Sequence, residues 1–138
     1  MNDISSFVGA KLAKHSAILF IGSGRDFDRL LAEIARELVG PETPFRLVDS
    51  TMSPIGITGG PKTRFPGEME LAQGGVLYLR DVQKMDPKWF AYVVKAWKKR
   101  KDEFVLFLSA YPENAAEEAN LVTVMRLTNA FAIDPIYY

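Results

Sequence analysis

The chain of 138 residues has no cysteine and a single histidine, His15. The first absence excludes disulfides, thiolate metal sites and cysteine nucleophiles. The second leaves no basis for a histidine metal centre or a Ser-His-Asp triad. Net charge is missing too: seventeen basic and seventeen acidic side chains cancel, so no global field draws the protein onto nucleic acid or an anionic bilayer. No apolar run approaches the roughly 18–20 residues of a membrane span, and the N-terminal MNDISSFVGAKLAKH lacks an apolar signal core. These absences predict a cytoplasmic protein without membrane contact. Hydrophobic side chains, by contrast, make up 48% of the chain. That suits one compact domain, residues 1–138, burying roughly 68% of the surface its unfolded chain exposes.

Short apolar runs recur at Ala17–Ile21, Phe45–Val48, Val76–Leu79, Phe104–Leu108 and Ala130–Ile133, with helix-period segments between several of them. This alternation predicts an α/β fold with a mostly parallel five-stranded sheet. Asp3–Lys14 can form a leading helix with Phe7, Val8 and Leu12 inward. A second helix places Phe27, Leu30, Leu31, Ile34 and Leu38 on one stripe and stops at Gly40-Pro41. Ser50–Gly67, rich in glycine and proline, reads as a long loop. Asp86-Pro87 is an N-cap followed by proline at the first helical position, after which Phe90, Val93, Val94 and Trp97 mark a core-facing side. A further helix is expected over Glu113–Val124.

The stretch LFIGSGRDFDRLLAEIAREL, Leu19–Leu38, sets a strand, a glycine turn and a helix in the order that P-loop proteins use to hold a triphosphate. A working GxxxxGK[ST] loop needs glycines so that backbone N–H groups can wrap the phosphates, a lysine for the β and γ oxygens, and a hydroxyl for Mg²⁺. Here Gly22, Ser23, Gly24 and Arg25 form the turn, but Asp26 stands for the last glycine, Phe27 for the lysine and Asp28 for the hydroxyl. The spacing is also one residue short. The plainer reading is a strand-turn-helix joint with Asp26 as N-cap and Phe27 in the core. Arg25 is the one nearby cation that could hold a smaller anion.

PGEMELAQGGVLYLRDVQKMDPKWF, Pro66–Phe90, resembles the Walker B region of AAA+ ATPases of the helix-2-insert branch through Gly67, Ala72, Gly74, Gly75, Leu77, Tyr78 and Leu79. PFRLVDSTMSPIGITGG followed by PGEMELAQGGVLYL is similar to magnesium-chelatase-like proteins. LVTVMRLTNAFAIDPI is similar to the corresponding segment of sigma-54 activators, the bacterial enhancer-binding response regulators, and GITGG, Gly56–Gly60, to a shortened form of their sigma-contacting loop. The activator type is the favoured resemblance, with magnesium-chelatase-like proteins next. It implies a three-layer P-loop NTPase-like sandwich of strand order 5-1-4-3-2, here without the helical lid.

The resemblance also marks departures. Arg80 and Asp81 stand where the family places its Asp-Glu pair, and Tyr111 where it places a polar sensor. Because phosphoryl transfer depends on positioned charge and metal, the joint change at Phe27, Asp28, Arg80, Asp81 and Tyr111 implies a pseudo-ATPase. No catalytic residue, metal or cofactor is expected. The implied role is a regulatory or protein-interaction domain, part of a transcription regulator. Its expected partners are AAA+ subunits, a second copy or the sigma-54 machinery, met through Arg126, at the arginine-finger position, and through Gly56, Ile57, Thr58, Gly59 and Gly60. The plainer reading of Arg126 is a surface arginine at a helix end. An alternative is a non-hydrolysing nucleotide or anion sensor using Gly22–Arg25. A third is a DNA-associated domain using Lys98, Lys99, Arg100 and Lys101, beside a Trp97 that the helical period assigns to the core.

Overall fold

The runs that form the strands Ala17–Ile21, Val76–Arg80 and Val105–Ala110 are buried on both faces, as the centre of a parallel sheet requires. The computed structural model describes residues 8–9, 17–22, 24–60, 66–100, 102–131, 133 and 135–137. His15, Ser23, the Arg25 side chain, Lys101, Tyr138 and all of the expected leading helix except Val8 and Gly9 lie outside the described residues. The elements are β1 (Ala17–Ile21), α1 (Arg25–Leu38), β2 (Phe45–Asp49), α2 (Pro54–Thr58), α3 (Glu68–Leu71), β3 (Val76–Arg80), a 3₁₀ turn (Val82–Lys84), α4 (Pro87–Lys99), β4 (Val105–Ala110), α5 (Ala115–Ala130) and β5 (Pro135–Tyr137). Among the described residues the strands form one sheet, β2-β3-β4-β1-β5, with every pairing parallel. This is the expected order read from the other edge.

Side-chain alternation along the strands builds two cores. Ala17, Leu19, Leu77, Leu79, Leu106 and Leu108 face α2–α5, meeting Ile57, Met69, Phe90, Val93, Val94, Trp97, Leu121 and Val124. Ile18, Phe20, Val76, Tyr78 and Phe107 face α1, meeting Phe27, Leu31, Ile34 and Ala35. Each fully buried Leu, Ile or Phe contributes about 1.5–3 kcal/mol relative to exposure, so the helices are held by these stripes more than by local propensity. The α4 stripe of Phe90, Val93, Val94 and Trp97 is buried as the period predicts. Its N-terminus is fixed by Asp86, whose carboxylate accepts from the Lys88 N–H at 2.8 Å.

Four expectations need correction. Asp26 is not the N-cap of α1; Gly24 is, at φ 99°, a conformation open to glycine that lets the chain enter the helix without a side-chain cap. Ser50–Gly67 is not loop throughout: the Ser53 hydroxyl accepts from Gly56 N–H at 3.1 Å, Pro54 opens α2, and Ile57 is fully buried. The C-terminal helix runs on to Ala130, six residues past its expected end at Val124, because Val124, Leu127 and Thr128 continue its inward face. The fifth strand is consequently Pro135–Tyr137, not Ala130–Ile133; Phe131 and Ile133 pack into the core from the connection. Proline suits the first position of this edge strand, where its missing N–H costs no ladder bond.

Candidate functional site

Parallel pairing brings the strand ends Ile21, Ala110, Arg80 and Asp49 to one edge of the sheet. The C-terminal edge is where open α/β sheets bind ligands. Gly22 prolongs the β1–β4 ladder, its N–H donating to the Ala110 carbonyl at 2.9 Å. Phe27, 3% exposed, lies across Gly22: a Cβ on that glycine would come within 3.0 Å of the ring. The ring also meets Phe20 edge-on at 6.0 Å, and Phe20 meets Phe107 in the same way at 5.2 Å. Gly22 is thus covered by a ring that continues into the core through edge-to-face contacts.

Asp28 lies on the same first turn of α1 and uses both carboxylate oxygens. Oδ2 accepts from Arg80 Nη1 at 2.7 Å, and Oδ1 accepts from the Tyr78 hydroxyl at 2.6 Å. The Tyr78 hydroxyl also lies 3.0 Å from Ser109 Oγ. Its one hydrogen is committed to the acceptor-only carboxylate, so the Ser109 hydroxyl donates in turn. Burial, and then the Asp28 carboxylate, push the Tyr78 hydroxyl well above its usual pKa. The hydrogen bond to Asp28 likewise holds the Arg80 guanidinium more firmly protonated, against the smaller opposing effect of burial. Arg80 Nε makes no hydrogen bond, but it stands 3.8 Å from Asp81 Oδ2. A single polar cluster therefore joins α1, β3 and β4.

Asp81 adopts the left-handed conformation, φ 58° and ψ 49°, which Asp tolerates better than most side chains. This reversal carries the chain from β3 into the 3₁₀ turn and seats Gln83, 1% exposed, beneath the end of β4. Gln83 Nε2 donates to the Tyr111 carbonyl at 2.9 Å, and its Oε1 accepts from the Tyr111 N–H at 3.2 Å. Asn120 Nδ2 from α5 donates to the carbonyls of Gln83 and Met85 at 2.6 and 2.8 Å. Tyr111 is thus held by its backbone while its side chain is half exposed. Neither Gln83 nor Asn120 was singled out by sequence, because a lone buried amide has no period or motif to announce it.

The expected interaction residues are placed differently from one another. Arg126 is exposed on α5, beside a groove of ≈ 420 Å³ formed with Val122, Met125, Thr128, Asn129, Ile133 and Pro135. No carboxylate among the described residues pairs with it. In GITGG, Gly56, Ile57 and Thr58 belong to α2 and Ile57 is fully buried, so it offers no side chain to a contacting tip. Gly59 passes directly against Gly67, where a Cβ would lie 2.1 Å from the Gly59 nitrogen. Of the basic cluster, Lys98 and Lys99 are exposed. Arg100 is engaged with Glu103 at 2.9 Å and with the Thr58 carbonyl at 3.5 Å. Trp97 is buried and cannot stack on a base. No helix among the described residues is long and apolar enough to cross a membrane.

Strand order, helix placement and the strand-turn-helix joint at β1 define a P-loop NTPase-like sandwich of AAA+ type. The model of the family described as magnesium chelatase, subunit ChlI, matches residues 13–96, and the chain belongs to that family. No curated protein matches the sequence. Among solved structures, NtrX from Brucella abortus in complex with ATP is similar at 17% identity and a TM-score of 0.71, over 98% of this chain and 36% of NtrX. The ADP complex of NtrX gives the same TM-score and identity, with 35% of that chain covered. The P-loop NTPase domain of a sigma-54 transport activator from E. coli is similar at 19% identity and a TM-score of 0.55, over 97% of this chain and 92% of that domain. Both expected resemblances, to sigma-54 activators and to magnesium chelatase, are met. The chain spans about a third of NtrX.

Proposed function

We propose that this domain is a pseudo-ATPase that works by protein contact, as a regulatory domain of a transcription regulator. The observation that carries the reading is the Asp28–Arg80 ion pair at 2.7 Å. In a working P-loop protein the hydroxyl at the first position and the Walker B carboxylate at the second both face Mg²⁺. In this chain those positions hold opposite charges that touch directly, a guanidinium taking the place of the metal. A carboxylate at Asp28 without Arg80 would repel a triphosphate, and Arg80 without Asp28 would repel the metal; together they neutralise each other.

The neighbouring residues fit the same reading. The Phe27 ring fills the space over Gly22, and the Gly22 N–H that could face a phosphate is given to Ala110. Arg80 sets a cation where the metal would be approached, and Asp28 sets a carboxylate where its hydroxyl ligand would stand, so these residues do not suit Mg²⁺-ATP.

Contact with an ATP-hydrolysing AAA+ subunit is the corresponding positive role, and the exposed Arg126, without an ion-pair partner among the described residues, is the side chain best placed to make it. The similarity to sigma-54 activators supports transcription machinery as the partner class. Two assays test the reading. Phosphate release by the chain alone with ATP and Mg²⁺ is expected to stay at background, and turnover abolished by Asp81→Asn would overturn the silent assignment. Mixing the chain with an active AAA+ subunit is expected to change that subunit's turnover, with the change lost in Arg126→Ala.

A further inference from the structure

We infer that the outward face of α4 is a docking surface for single-stranded nucleic acid, distinct from the closed site at the sheet edge. Helix α4 runs Pro87–Lys99 and carries four lysines and no acidic side chain, in a chain whose overall charge is zero. Its buried arc is Phe90, Val93, Val94 and Trp97. At 100° per residue, Lys88, Tyr92, Lys95 and Lys99 all fall directly opposite that arc. They span twelve residues, and the eleven steps between the first and the last cover roughly 16 Å of helix at 1.5 Å per residue. Tyr92 is 51% exposed within this stripe, and Trp89 is 40% exposed at its flank.

Charge and aromatic rings together select the partner. Lysines spaced along one face meet a phosphate backbone, and exposed rings between them offer stacking platforms to unpaired bases of any sequence. An acidic polypeptide would use the lysines but would leave Trp89 and Tyr92 without purpose. A bilayer would need the apolar side of α4 free to insert, and that side is locked in the core. Double-stranded nucleic acid hides its base faces from both rings. The surface lies beside the helix-end cluster named from sequence, with the stacking ring moved from buried Trp97 to exposed Tyr92 and Trp89.

The experiment is fluorescence anisotropy of the full chain with a labelled single-stranded oligothymidine, repeated at 50 and 200 mM salt. Three lysine–phosphate contacts predict that affinity falls roughly twenty-fold between these salts, from a slope of about −0.7 per contact. Tyr92→Ala is expected to weaken binding by roughly five-fold or more, the range of base–aromatic stacking, and Tyr92→Phe to retain it. Lys95→Gln with Lys99→Gln is expected to flatten the salt dependence. All these positions are exposed, and thermal melts of the variants verify folding. Absence of binding at 50 mM salt, equal affinity for the duplex, equal displacement by polyglutamate, or indifference to Tyr92→Ala would each overturn the proposal.

Discussion

At the residue scale, two positions that depart from the P-loop and Walker B patterns are also physical partners. Asp28 and Arg80 stand fifty-two residues apart in sequence and 2.7 Å apart in space. Both were legible as departures from a motif, but their pairing was not: sequence locates each against its own motif, and only the packing of α1 over β3 brings them together. Arg80→Met leaves a half-buried carboxylate without its cation and is expected to destabilise by about 1–2 kcal/mol, since the pair is partly solvated. Adding Asp28→Asn should recover much of that loss, and urea denaturation of the double-mutant cycle measures the coupling. Tyr78 gives a pH test. Its raised pKa means that the unfolded chain loses the phenolic proton first, near pH 10. The stabilisation is therefore complete below about pH 10 and is lost as pH rises further toward the folded-state value. Tyr78→Phe is expected to cost about 1.5–3 kcal/mol at neutral pH. It should also make stability fall less steeply above pH 10, by about one proton, in melts followed by circular dichroism.

At the element scale, the central strands were readable because burial on both faces leaves a continuous apolar run, and α1 and α4 because one buried stripe leaves a helical period. Helix α4 carries every signal at once: Asp86 and Pro87 at its start and four buried apolar residues at helical spacing. Short α2 lay hidden because its five residues, Pro54–Thr58, include glycine and only one buried side chain, Ile57, too few for a period. The fifth strand was misplaced because the apolar Phe131 and Ile133 serve a connection packed on the core, a role indistinguishable by hydropathy from a strand. The α2–α3 junction yields its own prediction. Gly67→Ala pushes a methyl group into the Gly59 backbone at 2.1 Å, which cannot be relieved by turning a side chain. The expected loss is about 1–3 kcal/mol, the usual cost of overpacking, seen as a lower urea midpoint with an unchanged slope.

At the scale of the whole molecule, the P-loop framework is retained while the chain's own side chains occupy its C-terminal sheet edge. Phe27 covers Gly22, the β1–β4 ladder takes up the Gly22 N–H, Arg80 neutralises Asp28, and Gln83 ties the β4 end to the 3₁₀ turn. The framework was legible from alternation and from the glycine-rich joints. The closure was legible only as a set of altered residues, since the sequence does not show that the replacements fit one another. Calorimetric titration of the chain with ATP and Mg²⁺, paired with its melting temperature at millimolar nucleotide, tests the central claim most directly. The account predicts no heat beyond dilution and an unmoved melting temperature. Saturable micromolar binding, with the rise of roughly 9 °C that a hundred-fold excess over Kd would bring to a domain of this size, would contradict it.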